Sequence, residues 1–199
     1  MYTEQTFNIP ENLIGISATN IAEHLKLYSG YVKHTNLILE TLRNTTHDSA
    51  SPADEYARSE MRRRYSFEYN GMKNHEYYFQ QLEGGSIAIN PESNLAKKIT
   101  EQFGSFENWL SNFQSIAMTR GIGWAIMYYD TDHDTLHNIW VDEQHLGHLN
   151  SAQFIFGIDM WEHAYVSDYL PSGKKQYVAD YLANVNWSVV EERFESCKK

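Results

Sequence analysis

Apolar and polar positions follow two different rhythms along this chain, and the change between them divides it. Ile21, His24, Tyr28, Tyr31, Thr35, Ile38 and Leu42 recur at spacings of three and four. That is one seam of a long amphipathic helix, with Ser17 standing where a cap is expected. Polar residues over 44–50 make a short connection. Ser51-Pro52-Ala53-Asp54 then supplies a capping serine, a proline at the first helical position and an acid in the first turn, so a second helix opens there. It carries Tyr65, Glu68, Met72, His75, Phe79 and Leu82 at similar spacings and stops at Gly84-Gly85. Two long helices with a short link predict an antiparallel hairpin.

Beyond residue 86 the rhythm changes. Asn90-Pro91 is expected to open a helix that ends near Gly104, and Ser105 to open another that ends near Gly121. Trp124 to Tyr129, Leu136 to Val141 and Ala152 to Ile158 read as three strands, the first two joined by a turn over 130–134. Helical segments follow, including Lys174 to Val185. The expected class is α+β: a helical hairpin domain over 1–85, then an α/β domain over 86–199 with a three-stranded antiparallel sheet.

Composition narrows the function. The chain has 199 residues, 42% hydrophobic and 14% aromatic, enough to build a real core. A formal charge of -10 argues against a nucleic-acid partner, which calls for a basic surface. The run Arg62-Arg63-Arg64 reads as the solvated face of a helix. A single cysteine, Cys197, excludes an intrachain disulfide and a cysteine-anchored metal site. No run approaches 18 apolar residues, so no membrane span is expected. The N-terminus lacks a signal-peptide pattern, and a reducing cytoplasm is the expected compartment.

Four residues stand out chemically. His24 and His75 lie on the apolar seams of the hairpin, where a buried imidazole needs partners for both nitrogens. Asp159 follows the apolar run Phe154 to Ile158, where a carboxylate is costly unless paired or bound to metal. His163 lies four residues on, on the same face as Asp159 if a helix begins there. Singly, each has a bland reading as a core histidine or a salt bridge. Together, three imidazoles and a carboxylate suit Mn, Fe or Zn better than Mg or Ca. The remaining histidines, His34, His47, His133, His137, His145 and His148, read as solvated side chains in or near turns.

The string Asp159-Met160-Trp161-Glu162-His163-Ala164-Tyr165 resembles the signature of iron/manganese superoxide dismutases. Further matches follow in order: Ile16 to Ala18 before His24, Asn70 to His75 with Tyr77 to Phe79, Phe103 to Phe106, Gly121 to Trp124, and Asn186-Trp187. The resemblance implies His24, His75, Asp159 and His163 as ligands of one Mn or Fe ion per subunit, with superoxide as substrate. It also implies a homodimer or tetramer in which Glu162 and Tyr165 reach across the interface, and a pocket lined by Trp124 and Trp161. In manganese members a glutamine from the sheet bonds the metal's solvent; Gln144 is the candidate here. In iron members a glutamine often comes from four residues before the second histidine ligand, which here is Gly71. The pair resembles the manganese arrangement. Most members carry a gateway histidine four residues after the first ligand and a gateway tyrosine eight after. Here those positions hold Tyr28 and Val32, so Tyr31 is expected to replace the tyrosine and Tyr28 the histidine, helped by a one-residue helix irregularity. The competing readings are an interaction subunit of the same fold, disfavoured by the intact ligand set, and another mononuclear metalloenzyme. An oxygenase uses one histidine fewer, and a zinc hydrolase needs a nearby general base that is not evident.

Overall fold

The structure, a computed structural model, describes residues 1–44 and 51–198. The connection over 45–50, with His47, lies outside the described residues. Two long helices, α1 (Ala18–Asn44) and α2 (Pro52–Gln80), are followed by α3 (Asn94–Phe103) and α4 (Phe106–Ala117). Strands β1 (Gly123–Asp130), β2 (Thr135–Asp142) and β3 (Gln153–Asp159) come next, then α5 (Lys174–Asn184) and α6 (Trp187–Cys197). The architecture is α+β, as the two rhythms predict.

Local chemistry starts and stops the helices. Ser17 Oγ accepts from Asn20 N at 3.1 Å. Ser51 and Asp54 form a reciprocal capping box, with Pro52 in the first turn, which satisfies donors that helix geometry leaves unpaired. Asn90-Pro91 does not open α3. Asn90 instead folds a turn, accepting from Ser93 N at 2.9 Å, and Ser93 is the cap. Gly104 ends α3 at φ 86, a conformation glycine adopts without steric cost.

Numbers run in opposite directions across the hairpin: His24 meets His75, Tyr31 meets Gly71 and His34 meets Glu68. The helices are therefore antiparallel. The sheet has order β2-β1-β3 with both pairings antiparallel. The tight turn between β1 and β2 is closed by Asp130, whose Oδ1 accepts from Asp132 N and His133 N.

Two buried devices fasten β3 where the site needs it. Gln81, just past α2, donates to Gly157 O at 2.8 Å and accepts from Gly157 N at 3.1 Å. Tyr177 of α5 donates its hydroxyl to Asp159 O at 2.9 Å. A side-chain amide matched to one peptide unit satisfies both of its polar groups, so the chain is pinned without an unpaired buried atom. Behind β3, Trp109, Phe113, Phe156 and Trp187 pack as one aromatic core with ring centroids 5.0 to 6.0 Å apart.

Candidate metal centre

Asp159 is the last residue of β3 and pairs with Trp124 of β1. No α-helix begins directly after it. His163 sits in a single 3-10 turn, Glu162–Ala164, so strand end and turn, rather than one helical face, bring the two residues together. Trp161 N donates to Asp159 Oδ1 at 2.8 Å, which fixes the carboxylate and leaves Oδ2 facing the hairpin. There Oδ2 meets three ring nitrogens: His163 Nε2 at 3.0 Å, His24 Nε2 at 3.2 Å and His75 Nε2 at 3.5 Å. The four donor atoms lie within 4.8 Å of one another. His24, His75 and Asp159 are buried, and His163 keeps 23% of its side chain exposed.

Protonation follows from this burial. Desolvation pushes His75 down to about 3. It also lowers His24, outweighing the hydrogen bond and charge of Asp159. Burial alone would raise Asp159, but His163 and the hydrogen bonds from His163 and His24 hold its carboxyl well below the usual range. The buried set is thus neutral imidazole and ionised carboxylate, the forms that bind metal. His75 Nδ1 donates to Gly71 O at 2.6 Å; a carbonyl only accepts, so the tautomer leaves the Nε2 lone pair free. That Nε2 is buried with no hydrogen-bond partner among the described residues. An orphaned lone pair 3.5 Å from a carboxylate oxygen is costly as it stands and is satisfied by a cation between them. Three imidazoles and a carboxylate fit iron or manganese.

The surrounding residues divide clearly. Tyr31 reaches the site: its ring lies 5.0 Å from His75 and its hydroxyl accepts from Gln144 Nε2 at 3.1 Å. No helix irregularity assists it, since α1 is unbroken from Ala18 to Asn44; seven residues are nearly two whole turns. Burial first, then the charges of Asp159 and Glu68, raise Tyr31 well above the ordinary phenol value, so it stays protonated. Gly71 makes room for it, because a Cβ there would lie 2.6 Å from Tyr31 Cδ1. Trp124 meets His75 edge-on at 5.2 Å and donates to Gln144 Oε1 at 2.8 Å. Trp161 stacks on His163 at 5.8 Å.

Tyr28 is a correction. Its hydroxyl turns away from the site, accepting from Gln5 N at 2.9 Å and donating to Glu76 Oε1 at 3.3 Å. It clamps the N-terminal segment to the hairpin and does not stand at the centre. Three histidines expected to be solvated are half-buried, the first being His137 on β2. His145 is half-buried against Phe67 at 5.5 Å. His148 is half-buried and bonded to Tyr128 and to Gln144 O. Asn74, which sequence reasoning passed over, is buried one residue before His75 and donates to that same carbonyl at 3.1 Å. Its position beside a candidate ligand was the one available signal. Glu162 is exposed next to His163, and Tyr165 stacks on Tyr177 at 5.3 Å.

Comparison with known proteins agrees with this geometry. A family model described as iron/manganese superoxide dismutases, C-terminal domain, matches residues 91–193. The chain is 34% identical over 193 residues to a superoxide dismutase [Fe] of Aquifex pyrophilus, covering 96% of this chain and 89% of that protein. It is 33% identical over 172 residues to superoxide dismutase [Mn] 2 of Haloferax volcanii, covering 84% and 81%. To a superoxide dismutase [Fe] of Tetrahymena pyriformis it is 30% identical over 176 residues, covering 86% and 87%.

Proposed function

The chain belongs to the iron/manganese superoxide dismutase family, and from that premise we propose how its own residues run the reaction. It is an oxidoreductase that converts two superoxide ions and two protons into oxygen and hydrogen peroxide at a single iron or manganese centre. The observation that carries the assignment of the centre is the convergence of His24, His75 and His163 on Asp159 Oδ2. We assign these four as the ligands. The bound ion supplies a one-electron couple between its trivalent and divalent states, which oxidises one superoxide and reduces the next.

The protein supplies neutral imidazoles, one negative charge and a proton path. Trp161 N holds Asp159 so that Oδ2 points inward. Gly71 O holds the His75 tautomer, an outer contact that orients a ligand. Making peroxide requires two protons. Tyr31, kept protonated by burial and bonded to Gln144, is the group placed to relay them. Trp124 and Trp161 keep the walls apolar. Gln144 with the Gly71–Tyr31 packing favours manganese in our reading, because the α2 position that would carry an alternative glutamine is filled by a tyrosine ring. We also read the chain as a two-part fold divided near residue 86, each part giving two ligands. The assembly we infer is a two-fold dimer: His163 is the one ligand that reaches solvent, beside the exposed Glu162 and Val166. Among the described residues, no helix is long and apolar enough to cross a membrane.

The test is superoxide disproportionation by protein loaded separately with manganese and with iron, with metal content measured. At least one loaded form should be active, the manganese form more so; inactivity of both at full occupancy overturns the reading. A finer test compares two tyrosines. Tyr31→Phe should lower turnover about a hundredfold, the modest end of what a positioned proton donor contributes, with metal content unchanged. Tyr28→Phe should leave turnover intact and cost about 1–2 kcal/mol in chemical denaturation, since one buried and one part-buried hydrogen bond go. Equal, wild-type rates in both would remove Tyr31 from the mechanism.

A further inference from the structure

Gln144 is bonded through its carbonyl and through both ends of its side chain, to partners from four parts of the fold. Its Nε2 donates to Tyr31 of α1 and its Oε1 accepts from Trp124 of β1. Its carbonyl accepts twice: from Asn74 Nδ2 of α2 at 3.1 Å and from His148 Nε2 at 2.9 Å. A carbonyl oxygen has two lone pairs, so both are used. The residue itself is fully buried.

The two carbonyl partners do not touch the metal ligands' donor atoms, and the mechanism above does not use them. Because a carbonyl cannot donate, His148 must carry its proton on Nε2. Its Nδ1 faces the Tyr128 hydroxyl within hydrogen-bond range, so in the neutral ring Nδ1 accepts and Tyr128 donates. Burial lowers the pKa of His148, which agrees with a neutral ring. A continuous chain of donors therefore runs from Tyr128 on β1, through His148, to the Gln144 carbonyl. Asn74 ties the same carbonyl to the helical turn that carries His75.

The backbone explains why such holding is needed. Glu143, just before Gln144, lies at φ 52, in the left-handed region that non-glycine residues seldom adopt. Such a conformation persists only where its surroundings over-determine it. The carbonyl of Glu143 is held by Trp161 Nε1 at 3.1 Å, and that of Gln144 by Asn74 and His148. If the second pair of bonds is lost, the loop can relax and carry the Gln144 amide away from Tyr31.

We propose that His148 and Asn74 are positioning residues that aim the Gln144 amide at Tyr31, and that through it they set the centre's preference between manganese and iron. The proposal rests on Gln144 and Tyr31 acting at the metal, as read above. Hydrogen bonds around a metal's first ligands tune both its potential and its affinity, so a displaced amide changes what the site selects.

The experiment loads wild type, Gln144→Leu, His148→Leu, His148→Gln and Asn74→Ala from an equimolar mixture of manganese and iron. Bound metal ratio, the visible spectrum of the trivalent-metal protein and the thermal midpoint are then read. Gln144→Leu should move the ratio and spectrum, and His148→Leu and Asn74→Ala should move both in the same direction, by up to about tenfold in the ratio. His148→Gln keeps a donor for the carbonyl and should return both readouts toward wild type. The double variant of positions 144 and 148 should shift no further than Gln144→Leu, as expected for residues acting through one another. A His148→Leu protein with wild-type ratio and spectrum overturns the proposal. So does a change in His148→Leu that tracks only the thermal midpoint and that glutamine does not reverse. If Gln144→Leu itself moves neither readout, the role read for Gln144 fails first, and the positioning proposal falls with it.

Discussion

Asp159→Asn yields a folded chain that retains neither iron nor manganese and does not disproportionate superoxide. The substitution keeps the shape of the side chain and keeps an oxygen to accept from Trp161 N, so the strand end should hold. What it replaces is the oxygen on which three imidazoles converge, and an amide nitrogen donates where a cation needs an acceptor. The change in stability has an informative sign. Wild-type protein should gain stability on loading, about 2.7 kcal/mol at a hundredfold excess over Kd, which is about 5–10 °C for a chain of this size. The asparagine variant should show the same melting temperature with metal as with chelator. It should not be less stable than the wild-type apoprotein by much, because the buried negative charge it removes was itself costly. Metal analysis together with paired melts checks this. A variant that still binds stoichiometric metal, or that still gains several degrees on loading, would remove Asp159 from the ligand set.

The hairpin and sheet were legible in the sequence because their causes are local. The seam spacings, the capping serines and the acidic turn at Asp130 each act within a few residues, and the observed elements begin and end close to them. The ligands were legible for a different reason. Each was an expensive polar group in an apolar setting, and only their convergence removes the cost. What stayed hidden depended on contacts distant in sequence. Tyr28 and Tyr31 look alike on the seam. On a 3.6-residue turn Tyr31 lies about 20° from His24 in azimuth and Tyr28 about 40° to the other side. The hydroxyl of Tyr28 is then claimed by Gln5 and Glu76, one of them in a segment whose path the periodicity does not reveal. His148 looked like a solvated turn residue because nothing local shows its loop folding back between Tyr128 and Gln144. Spacing of four would put Asp159 and His163 on one face if a helix began there. A strand end followed by a 3-10 turn closes the same distance, and spacing alone cannot separate the two.

Glu162→Ala should convert the dimer proposed above to monomer at concentrations where the unaltered chain pairs. Three features of one surface motivate this. Glu162 is exposed although it adjoins a buried centre. His163 presents 23% of its side chain to solvent while the other ligands present almost none. Val166 and Leu170, just beyond, are 45% and 77% exposed, apolar surface close to the partly exposed ligand His163. The two-fold contact proposed above would close all three at once, with Glu162 placed to accept a hydrogen bond from the second copy's ligand histidine. Symmetry doubles the effect of one substitution, because each contact occurs twice. A hydrogen bond to a charged group contributes about 1.5–3 kcal/mol, so two amount to about 3–6 kcal/mol, and the dimer Kd should rise about 10²- to 10⁴-fold. Sedimentation across a concentration series at fixed salt measures it. Because Glu162 would also orient a ligand's second ring nitrogen, metal retention should weaken in the same variant even at concentrations that restore the dimer, as outer contacts to ligating histidines generally require. If the unaltered chain sediments as a monomer, or if the alanine variant pairs as tightly as its parent, the interface lies elsewhere. The exposed edge of His163 would then be an opening for substrate and not half of a contact.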